Sequence, residues 1–182
     1  MEHTTEVALD MVLERMKREG TKSPFSKAVF LAVLGELPAA PNIPGLEVFR
    51  ELGSKTVPYF VDLAIIRDGK VFLTYRDDAP YVGWHFPGFM RYPRTGMIEN
   101  CQAGATRELG PTFKIIEMYH LYTFDQPADP RFHLASDLQL VKFEGEPVAR
   151  EGKGGEWFSE MPVDILPTHM CYWPHIVHFL KA

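Results

Sequence analysis

Asp68-Gly69 stands between two apolar runs, Tyr59 to Ile66 and Val71 to Tyr75. A two-residue hairpin turn of type I′ needs positive φ at both central positions, and an Asp-Gly pair accepts this with little strain. The pair therefore joins the two runs as antiparallel strands and commits this part of the chain to a sheet. Further strands are expected at Lys114 to Phe124, His133 to Phe143 and Glu156 to Ser159. Between them Ile98 to Leu109 reads as a helix, and Met170 to Leu180 as a closing one. That order gives an α+β fold, a mixed sheet held between helices.

The first third of the chain has a different texture. Thr5 suits an N-cap, Leu9, Val12, Leu13 and Met16 follow at helical spacing, and Gly20 ends the segment. Ser23-Pro24 opens a second helix in the usual cap-then-proline order, and Ala28 to Leu34 within it is apolar all round. Pro38, Pro41 and Pro44 then make an extended loop, the best boundary in the chain. Residues 1–56 are thus expected to form an N-terminal helical extension, and 57–182 the main domain. A wholly apolar helix has to be covered, by that domain or by a second copy, so a homodimer through these helices is one expectation.

Composition narrows the function classes. With 46% hydrophobic and 24% charged residues the chain has the make-up of a folded protein. The opening residues lack the basic and apolar regions of a secretory signal, and Cys101 and Cys171 have no metal-ligand spacing. Both point to the cytoplasm. No apolar run is long enough to span a bilayer. A net charge of −5 gives no general attraction to nucleic acid or anionic membrane. A phosphate-bearing small molecule would have to be held by local arginines.

Four segments carry a resemblance. The hairpin from Phe60 to Arg76 is followed by Gly83-Trp-His-Phe-Pro-Gly88. Next come Glu99, a gap of seven residues, and Arg107-Glu108-Leu109. Last is Glu156-Trp-Phe-Ser-Glu-Met-Pro162. In this order they resemble the opening hairpin, the G-x-W-x-x-P-G-G approach, the E-x7-R-E-U core and the late W-F strand of Nudix hydrolases. The resemblance implies an α/β/α sandwich with a mixed sheet. It also implies a hydrolase acting on a nucleoside diphosphate linked to another moiety, a nucleotide sugar or similar compound.

The departures from the family pattern bear on mechanism. The second glycine of P-G-G is Phe89, the loop to Glu99 is longer than the family's, and the glycine of x-G-U is Lys114. Pro111 and Thr112 stand where the family has two glutamates. Acids at i, i+3 and i+4 share a helix face and converge on Mg2+, which bridges phosphate oxygens and activates water. Of that trio only Glu108 remains, and Pro111 should end the helix a turn early. Mg2+ is therefore expected as a weak or substrate-dependent cofactor at Glu108, held partly by substrate phosphates.

The resemblance gives Glu99 and Arg107 the role of a structural pair bracing loop against helix. With the box depleted, a histidine base becomes the alternative for activating water. His169 and His133 stand where GDP-mannose mannosyl hydrolases, a branch with an irregular box, carry functional histidines. His169 is the first choice, His133 the second, and Glu108 completes the catalytic set. Arg76, Arg91 and Arg94 are the candidate anion contacts, and Tyr81 a stacking surface for base or sugar. A second reading stands beside the enzyme: a catalytically inactive Nudix-fold protein that binds a nucleotide-type ligand or a protein partner.

Overall fold

The computed structural model describes residues 56–77, 81–91, 95–150 and 154–181. All of them lie in Leu46–Ala182, the second of the two units into which the chain divides. The expected N-terminal helices, the homodimer through them and the candidate Arg94 fall outside the described residues.

Strands β1 (Tyr59–Arg67) and β2 (Lys70–Arg76) form the hairpin read from the sequence. Asp68 and Gly69 both take positive φ, 51° and 69°, as the short turn demands. Short strands β3 (Gly83–His85) and β4 (Gly88–Met90) follow, then helix α1 (Met97–Leu109). Strands β5 (Lys114–Gln126), β6 (Leu134–Glu144) and β7 (Gly155–Phe158) complete the sheet. Its main order is β3-β2-β1-β6-β5, with β4 on β1 and β7 on β2. Only β1 and β6 run parallel among these pairs, so the sheet is mixed, as expected.

Alternation along β1 divides the core in two. Val61, Leu63 and Ile65 pack with Phe89, Cys101, Ala105 and Leu109, so α1 covers that face. Ala64 faces the other way, with Leu73, Phe86, Leu138, Tyr172 and Ile176. Helix α1 leaves helical geometry at Gly110, where φ is 88°, just before Pro111. Gln102 then ties the helix to β5: its Nε2 donates to Phe113 O at 2.9 Å and its Oε1 accepts from Ile115 N at 2.8 Å. Gly104 lets α1 lie against the Phe89 ring, since a Cβ there would fall inside it. Gly104→Ala is expected to cost about 1–3 kcal/mol by overpacking, read as a lower urea midpoint at unchanged m-value.

The C-terminal segment differs from the expected single helix. Two short turns form instead, α2 (Pro167–Met170) and α3 (Trp173–Ile176). Pro174 has no N–H to offer Met170 O, so a continuous helix would lose that bond, whereas proline is tolerated in the first turn of a new one. The segment is held to β3 by backbone bonds, Trp84 N to Asp164 O at 3.0 Å and Leu166 N to Trp84 O at 2.8 Å. This places His169 against the face opposite α1.

Candidate active site

Asp62 interrupts the apolar centre of β1 and is buried on the α2 side of the sheet. Its Oδ2 accepts hydrogen bonds from Ser136 Oγ and from Tyr172 OH, the latter at 2.8 Å. Its Oδ1 fills the space that a Cβ on Gly88 would need. Burial raises the carboxyl pKa to about 6, against the pull of both hydroxyls and of the Arg131 and Arg76 charges.

Phe86 sits between two histidines and orients both. Its C=O lies 2.8 Å from His85 Nδ1, so that nitrogen carries a proton and donates. The other ring nitrogen, Nε2, then accepts from Thr74 Oγ1 at 3.2 Å. The Phe86 N–H donates to His169 Nδ1 at 3.3 Å, which assigns the opposite tautomer: the proton of a neutral His169 sits on Nε2. The His169 ring stacks on the Phe86 ring, 6.0 Å away at 16°, and lies 4.8 Å from Tyr172. Burial, then the Arg76 and Arg131 charges, lower its pKa to about 3.

Beside these groups lies an arginine cluster. Arg131 Nε donates to Tyr81 OH at 3.0 Å and stands 3.3 Å from Asp129 Oδ1. Tyr81 OH in turn donates to Asp129 Oδ1. The Arg131 guanidinium lies 4.6 Å from the Tyr81 ring centre, and that of Arg76 lies 5.5 Å from the same ring. Tyr81 is buried, and burial with the Asp129 bond raises its hydroxyl pKa to about 12. The tyrosine thus supports two guanidinium groups, where the sequence suggested a stacking surface for a ligand.

The other candidates lie elsewhere. Glu108 is on α1, so it belongs to the sheet face opposite His169. Arg107 Nε stands 3.2 Å from Glu108 Oε1, while Glu99 is exposed and its side chain pairs with no described residue. Among the described residues no three His, Cys, Asp or Glu side chains converge as metal ligands. A lone carboxylate already facing a guanidinium is not a donor set that fits resident Mg2+. Arg91 is exposed and its N–H donates to Tyr59 O at 2.8 Å. His133 is exposed with Nε2 2.5 Å from Asp125 Oδ1. The structure brings His169 together with Arg76 and Tyr81, and leaves Glu108, Arg91 and His133 apart from them.

Sequence reasoning passed over Asp62, Asp129, Arg131 and Tyr172. Asp62 had a readable signal, as the one charge inside the run from Phe60 to Ile66. Arg131 and Asp129 had none, because their partner Tyr81 is far away in the chain.

No family model matches the chain, and neither does any curated protein. Solved structures do match. The MutT Nudix hydrolase of Burkholderia pseudomallei superposes with a TM-score of 0.57 at 22% identity, over 66% of this chain and 98% of that one. A MutT from the study of the Aliivibrio salmonicida and Vibrio cholerae enzymes gives 0.51 at 21% identity, over 69% and 97%. An ADP-ribose pyrophosphatase of Streptococcus suis gives 0.51 at 16%, over 70% and 94%. With a mixed sheet between helices and neighbours of this kind, the chain has the Nudix hydrolase fold.

Proposed function

We propose that the protein hydrolyses a nucleoside diphosphate linked to another moiety, a nucleotide sugar or similar compound, at a phosphoanhydride or sugar–phosphate bond. One observation carries this reading: Arg76 and Arg131 both flank Tyr81 beside the half-buried His169. Two guanidinium groups supply the charge and the planar donor geometry that a diphosphate requires. The names of the structural neighbours, MutT hydrolases and an ADP-ribose pyrophosphatase, agree with a phosphate-containing substrate. No helix among the described residues is long and apolar enough to cross a membrane.

A second reading, binding of such a ligand without turnover, is favoured by the Arg107–Glu108 pair, which occupies the remaining box acid. The test is a panel of nucleotide sugars, dinucleotide polyphosphates and nucleoside triphosphates, with and without Mg2+. The hydrolase reading expects turnover of a diphosphate-linked member. Arg76→Gln should then raise KM about tenfold or more with a smaller change in kcat, as loss of a charged ground-state contact does. Calorimetric binding without turnover would select the second reading, and neither binding nor turnover would remove both.

A further inference from the structure

We infer that His169 presents Nε2–H as a neutral hydrogen-bond donor to an anionic oxygen of the bound ligand, in a seat whose charge comes from Arg76 and Arg131. The choice of a diphosphate as that ligand rests on the hydrolase reading; the donor role does not.

Phe86 N–H occupies the Nδ1 lone pair of His169. A proton acceptor needs a free lone pair, and in a neutral imidazole only one nitrogen has it. Here that lone pair is already used, so the ring can offer a proton but has no site to receive one. Its Nε2 bonds to no described residue, and the side chain is partly exposed, which leaves this donor for a ligand. Stacking on Phe86 and contact with Tyr172 hold the ring plane, and a fixed donor loses little order on binding.

The charge around the ring favours an anion over a cation. Among the described residues, the groups that bear on it are Arg76, Arg131 and Asp129, with His85 5.8 Å away and Tyr172 also in contact. Asp129 accepts from Tyr81 and stands against Arg131. Asp62, behind Tyr172, is turned to Ser136 and Tyr172. Burial first, and then the two arginines, keep the imidazole unprotonated, with its pKa lowered to about 3. A neutral donor near two cations stabilises a developing oxyanion without giving up its proton.

Three measurements test this on the full chain. Long-range 15N NMR, with the His169 signals identified by their loss in His169→Gln, should show the Nε2–H tautomer unchanged from pH 5 to 8. A protonation midpoint near 6.5, or an Nδ1–H tautomer, would overturn the proposal. Inorganic pyrophosphate, titrated without metal, should shift the His169 Nε2 resonance saturably in wild type and much less in Arg131→Lys. Absence of any shift in wild type would equally overturn it.

The kinetic arm separates donor from base. His169→Ala should lose about 100-fold in kcat, the usual effect of removing one oxyanion donor. Glutamine carries an N–H at the Nε2 position but cannot act as a base, so His169→Gln should stay within about tenfold of wild type. A general base would make the two variants equally inactive. If the substrate panel shows no turnover while the NMR signatures hold, the hydrolase reading fails and the donor seat stands.

Discussion

Gly83→Ala is expected to destabilise the domain by about 3–5 kcal/mol and to release the C-terminal turns from the sheet. Two effects add at this position. Gly83 has φ 143°, a conformation that an L side chain adopts only under strain. A Cβ there would also fall within the radius of Asp164 O, a backbone atom with no side-chain freedom to give way. The adjacent bonds, Trp84 N to Asp164 O and Leu166 N to Trp84 O, carry the chain into α2. Losing them would move His169 away from Phe86 as well as weakening the fold. Urea denaturation should show a large drop in midpoint, and the His169 ring signals should lose their fixed environment. A variant with wild-type stability and wild-type His169 signals would contradict this account of how β3 holds the site.

The parts of the fold that could be read in advance rest on local chemistry. The Asp68-Gly69 turn needs only two residues to specify it. The end of α1 at Gly110 follows from the proline beside it. The split between α2 and α3 comes from the same kind of signal at Pro174, masked in the sequence by the apolar periodicity on either side. The site is harder to read because its bonds are non-local. Tyr81 meets Asp129 across 48 residues, and Tyr172 meets Asp62 across 110. Neither pairing has any signature in composition or spacing. The histidines show a further gap. His169 could be selected as a functional residue from its sequence context, yet its protonation pattern depends on a single amide at Phe86. The same peptide segment gives His85 the opposite tautomer. Residue type alone can propose a base, but which lone pair remains is decided by the packed backbone.

Asp62→Asn is expected to stabilise the protein above neutrality by up to about 3 kcal/mol and to change little near pH 4. The carboxyl pKa is about 6 in the folded chain against an ordinary value of 3.8, a difference of about two units. Between those two values the native state holds this proton more tightly than the unfolded state. Its contribution to stability therefore falls as pH rises from about 4 to about 6, and stays at the lower level above that. Asparagine does not titrate, so the penalty is removed. Its carbonyl can accept from Ser136 and Tyr172 as Oδ2 does, with the amide turned to the space left by Gly88. His169 acts in the opposite sense, since its lowered pKa makes stability fall as pH drops from about 6.5 toward 3. That contribution is common to both proteins and cancels in their difference. Urea denaturation of wild type and Asp62→Asn at pH 4.5, 6 and 7.5 should give curves that diverge upward with pH. A stability difference that stays constant across the three conditions would show that Asp62 does not titrate in this window. Its burial would then be fully offset by the two hydroxyls and the nearby arginines.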